Sequence, residues 1–454
     1  MDDPTKQVQL SVIGSGYVGL VTATCLAGMG HIVRCVERDR TRLTSLIGGV
    51  VPFREPGLDD AFATALSSGR LTLTDEQAAI HGTEAVLVAV GTLDTAGDWT
   101  GDQVEAAVMA VALDDLAPRT IIVRSTLLPG TTARLQRRVN QIDPRVELAL
   151  NPEFTRQGSA VRDFYAPDRI VVGITRAPTE SHAAALLARV YGSLGARLLV
   201  TDAASAELIK VGANAFLALK IGYANEIARI AAEIGADVGA VADAIGLDRR
   251  IGRDFLSPGP GFGGSCLPSQ SRALPLLAAE HGVAAPILAA IDHSNQIHAR
   301  WVVDQLERAV GPLAGVSIAV LGLTFKSGTD DLRESRSVAI VQLLHERGAS
   351  VAVHDPLAMS AGVAQLARDG VEVRGSTDVL AALNGARAVV VATEWPLYRS
   401  IDWMAARARM AGEVIFDLRQ VVDIEAAAQA GLTVFVHGMP VIANRTSPIV
   451  ADAL

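Results

Sequence analysis

Residues 8 to 19 read Val8-Gln9-Leu10-Ser11-Val12-Ile13-Gly14-Ser15-Gly16-Tyr17-Val18-Gly19. The first six have the length and apolar character of a buried strand, and a helix is expected to follow, running to about Met29. Between them, Gly14 permits a tight turn, Gly16 lets a pyrophosphate reach the backbone, and Gly19 lets helix and strand pack closely. A helix N-terminus placed there holds phosphate charge. The pattern predicts a dinucleotide site in which Tyr17 and Val18 open the helix.

Working outward, Ile32 to Val36 reads as a second strand ending at Glu37. An acidic residue about 20 positions past such a motif accepts the ribose hydroxyls and repels a 2′-phosphate, which favours NAD over NADP. Arg38, directly after it, pulls the other way. Ala85–Val90, Thr120–Arg124, Val146–Leu150 and Ile170–Ile174 are further apolar runs of strand length. Helical or loop segments separate them, so the expected class is α/β, with a mostly parallel sheet covered on both faces. Gly91-Thr92, Ser125-Thr126 and Asn151-Pro152-Glu153 follow strand ends, where ligands bind in such sheets. Glu153 is a candidate acid or base there.

At 454 residues the chain is too long for a single core, and two or three domains are expected. No apolar run approaches the roughly 18 residues of a membrane span, and the polar start of the chain, Met1 to Leu10, lacks the pattern of a secretory signal. Three cysteines, Cys25, Cys35 and Cys266, make neither a disulfide framework nor a metal spacing. A formal charge of −9 with 4% aromatics argues against nucleic acid as a partner. The expected protein is soluble and cytoplasmic, with no metal site. His293 and His298 read as helix surface, Cys25 and Cys35 as core packing, and nothing is read into the short segment from Ala443.

Ala203 to about Gly235 predicts one long helix, a spine between domains or a dimer contact. Lys210 and Asn214 are four apart on it and share a face. A buried lysine beside an amide suits an oxyanion partner, and burial can also turn a lysine into a base. Further on, Gly261-Phe262-Gly263-Gly264-Ser265-Cys266-Leu267-Pro268 places a sulfur nucleophile after a glycine loop. A thiolate there can attack an aldehyde or acyl carbon. Val316–Leu321, Val351–His354, Ala388–Ala392, Val414–Phe416 and Val434–Val436 then predict a second Rossmann-like layer without a full glycine fingerprint. Phe325-Lys326 and Asp330-Asp331-Leu332-Arg333-Glu334-Ser335 follow its first strand, where positive charge can meet phosphate.

Taken together, the order and separations of these motifs resemble the UDP-glucose/GDP-mannose dehydrogenase family over nearly the whole chain. Pro129-Gly130, Phe154, Lys210-Val211-Gly212-Ala213-Asn214, Arg250-Ile251-Gly252 and Asp417-Leu418-Arg419 add to the likeness. The resemblance implies an NAD-binding domain over 1–200, a central helical dimerisation domain carrying the cysteine loop over 201–300, and a domain binding the nucleotide of an NDP-sugar, UDP-glucose foremost, over 301–454. It also implies a homodimer or higher homo-oligomer. Members oxidise the sugar C6 alcohol to a carboxylate in two NAD-dependent steps, which for UDP-glucose gives UDP-glucuronate for polysaccharide biosynthesis. By that likeness Cys266 forms a thiohemiacetal and then a thioester, Lys210 and Asn214 stabilise oxyanions, and Glu153 and Thr126 manage protons through a water. Arg250, Lys326 and Arg419 hold the diphosphate and sugar, with Phe154, Phe255 and Gly263 also lining the substrate. Arg42 lies near the cofactor ribose and Arg333 near its pyrophosphate.

The sequence departs from the family pattern where Lys-Asp after the cysteine-loop proline becomes Ser269-Gln270, where a second Glu becomes Gln157, and where Thr-Pro becomes Thr92-Leu93. A strand-end Lys becomes Arg124. The missing Asp serves the family's catalytic water, and glutamine can hold a water but cannot take its proton at neutral pH. Three readings stay open: the standard 6-dehydrogenase, a specialised enzyme making an aldehyde or acting on another carbon or sugar, and a non-catalytic NDP-sugar-binding protein.

Overall fold

A computed structural model describes residues 7–94 and 99–439. The extreme start of the chain and the segment from Ala443 lie outside them. The chain forms two compact units, Met1–Ala213 and Asn214–Leu454, and one continuous helix, Ala203–Ile234, carries it from the first into the second.

The first unit is built on eight strands: β1 Gln9–Ile13, β2 Ile32–Val36, β3 Leu71–Thr74, β4 Ala85–Val88, β5 Thr120–Val123, β6 Glu147–Leu150, β7 Ile170–Ile174 and β8 Leu198–Asp202. They lie in the order β3-β2-β1-β4-β5-β6-β7-β8. Neighbours pair in parallel except β6 and β7, which run antiparallel at Leu150 and Gly173. The first six strands have the Rossmann order, with the switch point between β1 and β4. Strands β4 to β7 are buried at every position, as an apolar run between two helical layers requires. Each Val or Ile so buried contributes roughly 1.5–3 kcal/mol. Gly173 matters locally: a Cβ there would collide with Ala206 and crowd Ala203, so glycine lets the long helix start against β7.

The second unit repeats the plan with β9 Ser317–Leu321, β10 Ser350–His354, β11 Val373–Gly375, β12 Ala388–Val391, β13 Val414–Asp417 and β14 Thr433–Val436. Their order is β11-β10-β9-β12-β13-β14, all parallel. The α/β class with two Rossmann-like sheets joined through a long helix is what the sequence predicts. Three strands escape that reading: β3, β8 and β11, all at sheet edges. An edge strand lacks the unbroken apolar run of a central one, as the half-exposed pattern of Leu198–Asp202 illustrates.

Two further expectations meet the structure differently. Cys25 and Cys35 are fully buried, in line with core packing, and burial pushes both thiols up to about 12. His298, by contrast, is not on the surface of its helix, Pro286–Val310. It is completely buried, while His293 on the same helix is exposed. His293 and His298 are five positions apart, which at 3.6 residues per turn sets them about 140° apart around the axis, so one side of this helix meets the core and the other meets solvent.

Candidate active site

In the first unit the fingerprint does what its glycines allow. Gly14 has φ +95, and a Cβ there would stand 2.8 Å from the Ala89 carbonyl oxygen. A Cβ on Gly19 would overlap the Gly14 carbonyl oxygen, whereas Gly16 faces open space. The helix Tyr17–Gly28 begins at Gly16 with no side-chain cap and no acidic residue in its first turn. Its N–H groups are therefore left for an anion, and the cradle fits the pyrophosphate of NAD. Gly19→Ala is expected to cost about 1–3 kcal/mol of unfolding free energy in denaturant titration, through overpacking against backbone. Unchanged stability would disprove the close approach.

Glu37 ends β2 and is buried. Its Oε2 accepts from Ser15 N at 3.0 Å, the Ser15 hydroxyl at 2.6 Å and Arg42 at 3.2 Å, and its Oε1 accepts from Asp39 N at 2.8 Å. Burial pushes its carboxyl up, but these donors outweigh burial and hold it below the ordinary value, so it is a carboxylate at neutral pH. Asp39 caps the next helix by accepting from Thr41 N and Arg42 N, which sets where the Arg42 guanidinium stands. At neighbouring strand ends the Ser125 hydroxyl donates to Val90 O at 2.6 Å, Thr126 is half-buried, and Gly91 and Thr92 lie at the rim.

Glu153 follows β6. Its Oε1 lies 3.1 Å from Lys210 Nζ, and Oε2 accepts from the Thr155 N–H and hydroxyl, each at 2.7 Å. Both side chains of the ion pair are more than nine-tenths buried. Burial pushes the Glu153 carboxyl up, yet Lys210, the Thr155 hydroxyl and Arg124 together hold it below its usual range. The Phe154 ring takes Lys210 Nζ at 5.2 Å and the Arg169 guanidinium at 4.0 Å. Arg124 is not a bystander: it donates to the backbone and side-chain oxygens of Asn151, at 3.1 and 2.8 Å, and so fixes the turn that presents Glu153. Glu207, fully buried on the long helix, accepts from Gly130 N and from the N–H and hydroxyl of Thr132. It anchors the loop after Ser125-Thr126 to the helix bearing Lys210, a link invisible to spacing alone.

In the second unit Cys266 is exposed and opens the helix Cys266–Glu280. The preceding loop is clamped at four backbone atoms. Gly259 N donates to Asn225 Oδ1 at 2.9 Å, and Gly259 O meets His298 Nε2 at 2.7 Å. Asn295 takes both Phe262 N and Phe262 O through its side-chain amide, each at 2.9 Å. Burial lowers the His298 pKa to about 3, so the ring is neutral at physiological pH. With Arg229 N–H 3.2 Å from Nδ1, the proton sits on Nε2 and is donated to Gly259 O. The space saved by the loop glycines is filled by protein: a Cβ on Gly263 would strike Glu334 O and Phe325, and Gly264 lies against the Phe325 ring.

Behind the cysteine, Gln270 is buried and its Oε1 accepts from Asn214 Nδ2 at 2.9 Å. Ser269 turns its hydroxyl back onto Ser265 O at 2.5 Å. Gly264 N donates to Arg333 O, and the Arg333 guanidinium is held by Asp331. Arg250 is exposed and paired with Asp248 at 2.6 Å. Phe255 sits at φ 66, a conformation unfavourable for a bulky residue. Beyond the ends of β9, β12 and β13, Arg419 lies 3.0 Å from Glu394 Oε2 and donates to Phe325 O at 3.1 Å, while Lys326 stands 5.5 Å from the Phe325 ring.

The second sheet also shows why it lacks a dinucleotide fingerprint. Asp355 ends β10 as Glu37 ends β2, but its oxygens are consumed by Leu323 N, Thr324 N and hydroxyl, Trp395 Nε1, Leu357 N and Ala358 N. No acceptor capacity is left for a ribose. Glu153 and Lys210 are thus paired in the first unit, which also carries Ser125 and Thr126, while Cys266, Asn214, Gln270, Lys326, Arg333 and Arg419 lie in the second. Sequence reading missed Asn225, Asn295, Glu207 and Glu394. Only the three-residue spacing of Asn295 and His298 on one helix was available as a signal for the clamp.

Comparison with known proteins completes the picture. Family models match the chain in three parts: the UDP-glucose/GDP-mannose dehydrogenase NAD binding domain over 8–194, the central domain over 204–297 and the UDP binding domain over 319–424. The UDP-glucose 6-dehydrogenase of Rhizobium meliloti is 37% identical, across 95% of this chain and all of that protein. A solved UDP-glucose dehydrogenase from Pyrobaculum islandicum has 39% identity and a TM-score of 0.85, covering 93% of this chain and 96% of its own. The UDP-D-ManNAc dehydrogenase of Pyrococcus horikoshii aligns with a TM-score of 0.81 at 26% identity, over 95% of this chain and 99% of its own. This chain belongs to the UDP-glucose/GDP-mannose dehydrogenase family.

Proposed function

We propose that the chain is an NAD-dependent nucleotide-sugar 6-dehydrogenase that oxidises the C6 alcohol of UDP-glucose to the carboxylate of UDP-glucuronate. The observation that carries this reading is an exposed Cys266 at the start of a helix, on a loop whose backbone is clamped by Asn225, His298 and Asn295. NAD is held by Gly14, Gly16, Tyr17, Val18, Gly19 and Glu37, with Arg42, Gly91, Thr92, Ser125, Thr126 and Arg333 as further contacts, and it supplies the hydride acceptor for both oxidations. Glu153, a carboxylate, draws the C6 hydroxyl proton through a water that Thr126 helps to hold. The Cys266 thiolate adds to the C6 aldehyde, and the oxygen takes up a proton to give the thiohemiacetal. Loss of that proton and a second hydride leaves a thioester. Water then cleaves it to the carboxylate and the free thiol. Lys210 and Asn214 stabilise the oxyanions along the way. Lys326, Arg419 and Arg250 hold the diphosphate and sugar, and Phe154, Phe255 and Gly263 line the substrate.

The same reading places the domains at 1–200, 201–300 and 301–454, and the enzyme in the cytoplasm. Free Cys25, Cys35 and Cys266 suit a reducing compartment. Among the described residues no helix is long and apolar enough to cross a membrane. Phe216, Tyr223, Ile230 and Ile234 are all exposed on the long helix at spacings that share a face, which supports a homodimer there.

One observation favours a slower final step. Gln270 is bonded to Asn214 and cannot take a proton from water, and loss of a general base typically costs about 10²–10⁴-fold in its step. The test is NADH formed per molecule of limiting UDP-glucose, with protein in excess and the protein mass recorded. About two NADH per sugar and unmodified protein are expected, as two hydride losses require. Two NADH with an acyl group retained on Cys266 would place the block at hydrolysis. One NADH would reveal an aldehyde producer, and bound UDP-glucose without NADH would defeat the reading for this sugar.

A further inference from the structure

Glu55 has no part in the chemistry above, yet it is 98% buried, at 2% exposure. Its Oε2 accepts from the Tyr17 hydroxyl at 2.5 Å and from Gly158 N at 2.6 Å, and its Oε1 accepts from Ala160 N at 2.7 Å. None of these donors carries a formal charge. A buried carboxylate held by neutral donors is costly to bury and intolerant of losing any of them.

The donors come from two places with distinct work. Tyr17 is the first residue of the fingerprint helix, and its ring packs on Phe53, two residues before Glu55, at 5.0 Å between centroids. Gly158 and Ala160 belong to the segment that begins at Glu153. That segment is fastened at its near end by Glu153 itself, through the Thr155 N–H and hydroxyl. Its far end is fastened by Glu55. The Tyr17 hydroxyl stays protonated, because burial, the bond to Glu55 and the nearby charge of Glu153 all push its pKa up. It remains a donor throughout the working pH range.

We infer that Glu55 is a positioning residue: it holds the Glu153 segment in register with the dinucleotide fingerprint, so that the carboxylate which manages the substrate proton and the cradle of the hydride acceptor keep a fixed relation. This rests on the function proposed above only for the role of Glu153. The three bonds themselves are independent of it.

The test uses the full chain with Glu55→Gln, Glu55→Asp and Tyr17→Phe. Glutamine preserves the shape but offers one acceptor oxygen instead of two, and its amide N–H then opposes a donor that the carboxylate accepted. In Glu55→Gln, kcat with UDP-glucose is expected to fall about 10–100-fold, the equivalent of one buried bond to a charged group. The NAD dissociation constant is expected to change less than about threefold, since Glu55 meets the fingerprint helix only at the Tyr17 hydroxyl and bonds to none of the glycine-turn N–H groups that receive the pyrophosphate. Amide hydrogen exchange at Thr155, Gly158 and Ala160 should accelerate while the core of Tyr17–Gly28 stays protected. Glu55→Asp, which keeps both acceptors, should recover part of kcat. Unchanged kcat and unchanged exchange in a folded Glu55→Gln protein would overturn the inference. So would a uniform loss of kcat, NAD binding and helix protection, which marks general destabilisation. If Glu55→Gln does not fold, Tyr17→Phe removes a single donor, and normal exchange at Gly158 with normal kcat would overturn it in the same way. Absence of NADH formation from UDP-glucose by the unsubstituted protein would sink the function reading alone, because the exchange data still decide whether Glu55 holds the segment.

Discussion

Cys266→Ser is expected to lower steady turnover of UDP-glucose by about 10⁴–10⁶-fold, the scale seen when an essential nucleophile is removed. The side chain is exposed at the start of its helix, so the substitution leaves the core untouched and the fold should survive. What is lost is the nucleophile: a serine hydroxyl is far less ionised near neutral pH than a thiol and adds poorly to an aldehyde without a base to activate it. The first hydride loss does not need sulfur. A rapid-mixing experiment should therefore show up to one NADH per active site, then no further turnover. Wild-type steady-state rates in the serine protein would refute the thioester route outright.

Lys210→Met should be nearly as damaging, for a different reason. It leaves the Glu153 carboxyl buried without its cation, which typically costs 3–5 kcal/mol (about that scale for a broken buried pair). The pH dependence supplies a signature. In the unsubstituted protein the Glu153 carboxyl is held below its usual value, so its contribution to stability is fully present above the unfolded pKa of about 4.3 and is lost as pH falls through the folded value. Without Lys210, burial dominates over Thr155 and Arg124 and the carboxyl rises above that unfolded value. The folded state then binds a proton more readily than the unfolded one, and the penalty shrinks on acidification. Denaturant unfolding at pH 7 and pH 5 should thus show the gap between the two proteins narrowing at the lower pH. A second change, Glu153→Gln, should restore part of the stability at pH 7. A gap independent of pH would mean that the pair is not what holds Glu153 ionised.

Both predictions concern residues that local sequence singles out, and the reason is chemical. Cysteine, lysine and the glycines at 14, 16 and 19 are chosen for what their own atoms do: a thiol that ionises, a cation four residues from an amide, a backbone without a Cβ. Such roles can be read one residue at a time. The same holds for the central strands, whose apolar runs follow from being covered on both faces.

The edge strands and the supporting residues are another matter. Glu55, Asn225, Asn295 and Glu207 are ordinary polar residues in the sequence. Each acts on backbone atoms that lie 33 or more positions away, as Asn295 does on Phe262 and Glu55 does on Ala160. His298 shows the limit most plainly: in the sequence it reads as helix surface with His293, and burial against Gly259 and Arg229 makes it a neutral clamp. The sequence by itself determined the two mostly parallel sheets, the glycine turn of the nucleotide cradle and the cysteine that follows the second glycine loop, because periodicity and side-chain chemistry are local. Only the tertiary structure decided which carboxylates are buried, which are ionised and which backbone atoms they hold, because desolvation and hydrogen bonding depend on groups that the chain brings together from far apart.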